Sequence, residues 1–243
     1  MSEESKSLDV FGIKPLADAA NAITKGGVAA ASAFLGRICL PAAEEFGLLL
    51  RDKVSAWRAR NAIAIAEKAE AIANERQIQP DDHAHPRLVG QIIESGSWTD
   101  SDEVQDLWAG LLASSCDATG RDDSNLMFVD LLTRMSVSQV RILNHSVNNA
   151  VKYASAAGWI AAQSYVIDSS ALLEVAGLTD IHQLDRELDH LRTLGLIGPT
   201  SGFNPFTTSA DLTPSALGLQ MFARCHGHRG DPLTYFGVVA PAT

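Results

Sequence analysis

Apolar positions along this chain recur at helical spacing far more often than they alternate. Leu50, Val54, Trp57, Ile65 and Ile72 follow Phe46 by 4, 8, 11, 19 and 26 residues. At about 100° per residue all six fall within an arc of roughly 100°. The opposite face carries Arg51, Arg58, Glu67, Lys68 and Glu70, the composition of a solvated surface. The pattern predicts one helix over residues 41–74, about 50 Å long at about 1.5 Å per residue. Ahead of it, an alanine-rich stretch is broken by Gly26, Gly27 and Pro41, which predicts helices over residues 15–25 and 28–40 and a restart at Pro41. Residues 1–14 are polar and aperiodic and read as a leader.

Downstream, "IQPDDHAHP" punctuates the chain and a short helix follows from Pro86. In "WTDSDEVQDLWAGLLASSCD", Val104, Leu107, Trp108, Leu111 and Leu112 recur at i, i+3, i+4, i+7 and i+8, one buried stripe. Asp100 and Glu103 have the spacing of a capping box at its start, and "DATGRDDSN" ends it. A further helix is predicted over residues 127–143. Then "SSALLEVAGL", a turn at Thr179 and Asp180, and "IHQLDRELDHLRTLGLI" read as helix, turn, helix. A hairpin with a Gly- and Pro-rich tip and a closing helix from Thr213 complete the order of a winged helix. The predicted fold is therefore mainly α, a multi-helix region over residues 15–135 followed by a winged-helix-like module over residues 136–243.

Three segments carry a family resemblance. "LPAAEEFGLLLRDKVSAWRARNAIAIAEKAEAI", "DEVQDLWAGLLASSCD" and "FVDLLTRMSVSQVRIL" stand in an order and spacing that resemble the Abi-alpha (abortive infection alpha) family over residues 40–200. The matching positions are Leu107, Trp108, Ala109, Leu111, Leu112, Ala113 and Asp117, then Phe128, Val129, Leu131, Leu132, Met135, Ser136, Ile142 and Leu143. The family's histidine and proline before "FV" are replaced by Leu126 and Met127, so no role for that histidine carries over. The resemblance implies antiviral defence as the setting. It offers no established active site.

Charge and cysteine content narrow the partners. The 243 residues carry a formal net charge of −10, which opposes nonspecific attraction to nucleic acid or an anionic membrane. Cys39, Cys116 and Cys225 are far apart and never form CxxC, as suits a reducing compartment. "MSEESKSLDV" lacks a basic stretch leading into an apolar core, so no secretory signal is read and the cytoplasm is the expected location.

Candidate chemistry is sparse. The acidic group Asp100, Asp102, Glu103 and Asp106 could serve acid/base or metal chemistry, but acids in a first turn also complement the helix dipole, and that reading outweighs the other. "DDHAH" (Asp81, Asp82, His83, His85) and "CHGH" (Cys225, His226, His228) each hold ligand-type residues without the rigid third and fourth ligands that zinc requires, so no metal is expected. Cys116 has no histidine nearby in sequence and reads as a small core residue. GxxxxGK[ST], GxGxxG and GxSxG are all absent, so no catalytic residue and no cofactor is assigned.

His182, Asp185 and Asp189 share a face of the recognition-type helix, with Arg186 and Arg192 its only arginines, and these five are the candidate partner-binding residues. The acidity of this helix disfavours DNA and favours a protein partner or a homo-oligomer. The expected function is thus a non-enzymatic bacterial antiviral (abortive infection) protein acting through protein contacts. Two alternatives stand beside it. One is a membrane-active effector at the inner membrane using the apolar N-terminal helices, although Arg37, Glu44 and Glu45 interrupt them. The other is a winged-helix DNA-binding regulator.

Overall fold

The computed structural model describes residues 25–39, 56–204 and 206–239. Among them the chain is mainly helical with a few small antiparallel sheets. They fall into two compact units. The first runs to Thr133 and takes in Cys225–Gly227, and the second comprises Arg134–Arg224 and the residues from His228 on.

Unit one contains α1 (Lys25–Ile38), α2 (Ala56–Glu75), β1 (His83–Ala84), α3 (Pro86–Gly96), α4 (Asp102–Ser114), β2 (Cys116–Asp117) and α5 (Leu126–Thr133). α1 opens at Lys25, so Gly26 and Gly27 lie in its first turn instead of separating two helices. Residues 1–24 and 40–55, with the predicted leader, the helix over 15–25, the restart at Pro41 and Phe46, Leu50, Arg51 and Val54, lie outside the described residues.

Of the predicted stripe on α2, Ile65 is buried while Trp57 and Ile72 are half-buried, and Ala59, Ala62, Ala66, Ala69 and Ala73 make up most of the rest of the buried face. α4 is the helix that α2, α3 and α5 all pack against, and α2 meets it through Asn61, which accepts from Gln105, and Lys68, which pairs with Asp102 and Asp106. Every residue from Leu107 to Asp117 is buried as a result. Arg58 also departs from the predicted solvated face. Its guanidinium lies 4.1 Å over the Trp98 ring, pairs with Glu94 at 2.9 Å and donates to the Ser97 hydroxyl at 2.8 and 3.0 Å.

The start of α4 corrects the predicted capping box. The N-cap is Ser101, which makes no side-chain cap bond, and Asp100 instead accepts from Trp57 Nε1 at 3.4 Å. The predicted single helix over 127–143 is likewise two helices. α5 ends at Thr133, whose hydroxyl donates to the Val129 carbonyl. Extended Ser136 then forms a full capping box with Gln139 and starts α6 (Val137–Asn149) afresh.

Unit two continues with β3 (Lys152–Ala154), β4 (Ile160–Ala162), β5 (Val166–Asp168), α7 (Ser169–Ala176), α8 (Ile181–Thr193), β6 (Gly202–Phe203), β7 (Ser209–Asp211), α9 (Ala216–Cys225) and α10 (Pro232–Tyr235). β3 and β4 form a hairpin of their own, and β5, β7 and β6 form a three-stranded antiparallel sheet in that order. The helical periodicity had no element to offer for 152–168, because these strands are three residues each and interrupted by turns. α6, α7 and α8 pack on one another, with β5 leading into α7 through the Asp168 N-cap. The closing helix starts at Ala216, later than the predicted Thr213. Thr213 is held short of it by Asp211, which accepts from its backbone N–H at 2.7 Å and its hydroxyl at 2.5 Å.

Candidate interaction surface

α8 is built with one face for the core and one for solvent. Asp180 caps it, its two carboxylate oxygens accepting from His182 N and Gln183 N at 3.0 and 3.2 Å. Leu184, Leu188 and Leu191 are fully buried at i, i+4 and i+7. The remaining positions turn outward, so His182, Asp185, Arg186, Asp189 and Arg192 are all exposed. The structure does bring the five candidate residues onto one face.

Their charges are not equally available. Arg192 Nη2 pairs with Asp189 Oδ1 at 2.5 Å, and Nη1 donates to the Ser201 carbonyl at 3.1 Å, which ties α8 to the loop before β6. Glu187 accepts from the Ser136 hydroxyl at 2.9 Å, and His190 Nδ1 lies 2.8 Å from Gln139 Nε2. Among the described residues Asp185 and Arg186 have no ion-pair or hydrogen-bond partner for their side chains. The cationic reach of the helix is therefore a single arginine beside an uncompensated aspartate.

The family-motif residues have a different role. Leu107, Trp108, Leu111 and Leu112 on α4 and Phe128 and Val129 on α5 are all buried. Behind them, Asp117 accepts from the Thr119 hydroxyl at 2.5 Å and from the backbone N–H groups of Thr119, Gly120 and Asp122 at 2.6, 3.0 and 3.3 Å. Burial acts to raise its carboxyl, but these four hydrogen bonds outweigh it and hold the group below its ordinary value of 3.8. Such a group adds stability that is present above the unfolded pKa and is lost as pH falls through the folded one. Asp117→Asn is thus expected to be less stable than the parent at pH 7, with the difference shrinking as urea melts are taken below pH 3.8. A pH-independent difference would deny Asp117 this role.

The other sequence candidates do not converge on a site. Asp102 and Asp106 reach Lys68 Nζ at 3.0 and 2.8 Å. Burial acts to lower the Lys68 ammonium, but bonds to these two aspartates outweigh it and hold it above its ordinary range. His83 sits in β1, opposite Asp117 in β2, with Nδ1 3.1 Å from the Arg37 carbonyl, and His85 Nδ1 accepts from Arg87 N as the cap of α3. Burial pushes the Cys225 thiol up to about 12, so it carries no thiolate at neutral pH. The His228 ring lies tilted against Tyr235, with ring centroids 5.4 Å apart. Among the described residues no group of three or more His, Cys, Asp or Glu side chains could hold a metal ion.

A family model described as abortive infection alpha matches residues 60–211, from within α2 to the end of β7. The chain belongs to the abortive infection alpha family. No curated protein and no solved structure matches it. The Abi-alpha match takes in all six buried motif residues and the whole of α8. It also spans a surface that helical periodicity passes over, the β3–β4 hairpin, whose Tyr153 and Trp159 are exposed. The available signal was local: a Lys-Tyr and a Gly-Trp pair flanking "ASAA".

Proposed function

We propose that this Abi-alpha chain acts in phage defence by abortive infection, in the cytoplasm and without catalysing a reaction, through protein contacts made by its second unit. Family membership supports the setting. The observation that carries the mode of action is the charge of α8 with its cap, where Asp180, Asp185, Glu187 and Asp189 stand against Arg186 and Arg192, and Arg192 is already spent on Asp189 and Ser201. The succession α6, β5, α7, α8 and the β6–β7 hairpin, with the sheet order β5, β7, β6, supports reading the chain from residue 136 on as a winged-helix-like module with α8 in the recognition position. A DNA reader places arginine, lysine, asparagine or glutamine there. From Ser136 onward six basic residues stand against eight acidic ones, a net of −2. Such a charge balance suits a cationic protein surface better than a phosphate backbone. As to insertion in a bilayer, among the described residues no helix is long and apolar enough to cross a membrane.

The test is phage challenge of bacteria expressing the chain or its Asp185→Arg/Arg186→Glu variant, whose substituted side chains are exposed and free of internal pairs. The parent is expected to lower phage yield while infected cells stop growing, and the folded variant to lose most of that protection. Equal phage yields with and without the parent chain would remove the defence reading. Full protection by the variant, or duplex DNA binding that is lost with Arg186, would move the function off this face as a protein contact.

A further inference from the structure

The β3–β4 hairpin is two-faced. Ile160 is buried, whereas Val151, Tyr153 and Trp159 are 58%, 43% and 60% exposed. The register explains the split. Tyr153 lies opposite Ala161, Val151 opposite Gln163 through the Gln163 N–H to Val151 carbonyl bond, and Ser155 opposite Trp159 through the Ser155 N–H to Trp159 carbonyl bond. The three large exposed residues therefore share one face. Because 151, 153 and 155 direct their backbone groups toward β4, Lys152 and Ala154 direct theirs away from it. Among the described residues those outward groups of β3 have no hydrogen-bond partner, and β3 pairs with β4 alone.

Natural sheets protect such an edge with charge, proline or a bulge. This one has no proline and no bulge, and the one charge it carries is turned away from the edge. Between Arg141 and Asp168 the only Asp, Glu, Lys or Arg is Lys152. Its ammonium is folded back, donating to the Val147 carbonyl and lying 5.3 Å over the Phe236 ring. A chain of net charge −10 repels anionic lipid, nucleic acid and its own copies, except where the contact is free of acids. The hairpin is such a stretch, and an open strand edge is self-complementary about a twofold axis.

We propose that the hairpin is a homodimer contact, in which β3 pairs antiparallel with β3 of a second copy of this chain. Lys152 then lies opposite Ala154 in both directions. Two copies of Tyr153 face each other as a non-hydrogen-bonded pair, the closer kind of cross-strand pair, on the face that Trp159 extends. This deepens the protein-contact reading of the second unit by naming one partner. It is decided on purified protein, whereas the defence reading is decided in infected cells, so either can fail alone.

The experiment is sedimentation velocity of the full chain over a concentration series, for the parent, Ala154→Pro, Trp159→Glu and Phe206→Ser. Ala154→Pro removes an outward N–H and leaves the β3–β4 ladder intact. Trp159→Glu adds an acid to the exposed face, and Phe206, 92% exposed in the β6–β7 loop, is the control. The parent is expected to dimerise, with a dissociation constant raised about tenfold or more by either hairpin substitution and unmoved by the control. A parent that stays monomeric throughout, a dimer that survives both hairpin substitutions, or one that is lost with Phe206→Ser would overturn the proposal. So would a monomer that co-sediments with phosphatidylglycerol vesicles through Trp159, which would make the face a lipid contact.

Discussion

Trp108→Ala is expected to cost unit one about 3–5 kcal/mol, the range for truncating a large buried aromatic, against a typical domain stability of about 5–15 kcal/mol. Trp108 is 2% exposed in the middle of α4, the helix on which α2, α3 and α5 converge. Its surroundings cannot collapse into the space it leaves. Gly96, at the end of α3, is packed so closely that a Cβ there would stand 3.1 Å from Trp108 Cγ and 2.7 Å from Ile65 Cδ1. Two backbone elements thus frame the ring, and backbone moves less readily than a side chain. Urea melts followed by far-UV circular dichroism check the magnitude. A loss of less than about 1 kcal/mol in unit one would contradict the packing described.

The second large effect runs opposite to what helix propensity predicts. Alanine is better than glycine in a helix interior by about 1 kcal/mol, so from its place in α4 alone Gly110→Ala should stabilise. In the folded unit a Cβ at Gly110 would overlap the backbone carbonyl of Cys225. That segment cannot retreat. Arg76 Nη2 donates to the His226 carbonyl at 3.1 Å, and Gly227, at φ 78°, has the Ile72 side chain against the position its own Cβ would take. Residues Cys225–Gly227 are therefore held between α2 and α4. We expect Gly110→Ala to destabilise by about 3 kcal/mol, at the upper end for overpacking, and to raise hydrogen exchange of the amides of Cys225–Gly227. Stabilisation, or unchanged exchange there, would show that the segment is not seated on α4.

Helix-forming segments were the legible part of this fold. The i, i+3, i+4 recurrence in "DEVQDLWAGLLAS" placed α4 and its buried leucines, because a 3.6-residue period follows directly from side-chain hydrophobicity, and "IHQLDRELDHLRT" read as the helix that α8 is. What the pattern obscured has identifiable causes. Over residues 127–143 apolar residues run on across Arg134–Ser136, so periodicity could not register the break that Ser136 and Gln139 impose through hydrogen bonds. On α2 the larger residues define the predicted stripe, whereas alanines make up most of the buried positions. Arg58 reads as solvated until Trp98, Ser97 and Glu94 are brought to it from other parts of the chain. The candidate site divides in the same way. The acidity of α8 was readable residue by residue, but the withdrawal of Arg192 into a pair with Asp189 and the Ser201 carbonyl was not.

The sequence by itself determined the helical class, the family-type motifs, the acidic balance and the amphipathic face of α8. Each is a property of composition or of spacing along a single element. Only the tertiary structure decided that the carboxylates beginning α4 serve Trp57 and Lys68, that Asp117 gathers a loop around its carboxylate, that Gly110 must lack a side chain, and that a hairpin leaves Tyr153 and Trp159 in solvent. The α4 carboxylates and Gly110 depend on groups from distant parts of the chain coming within a few ångströms, a proximity set by packing and not by the order of residues along one helix. The Asp117 loop and the hairpin are local, but hydrogen bonds and strand register set them, and neither leaves a hydrophobic period to read.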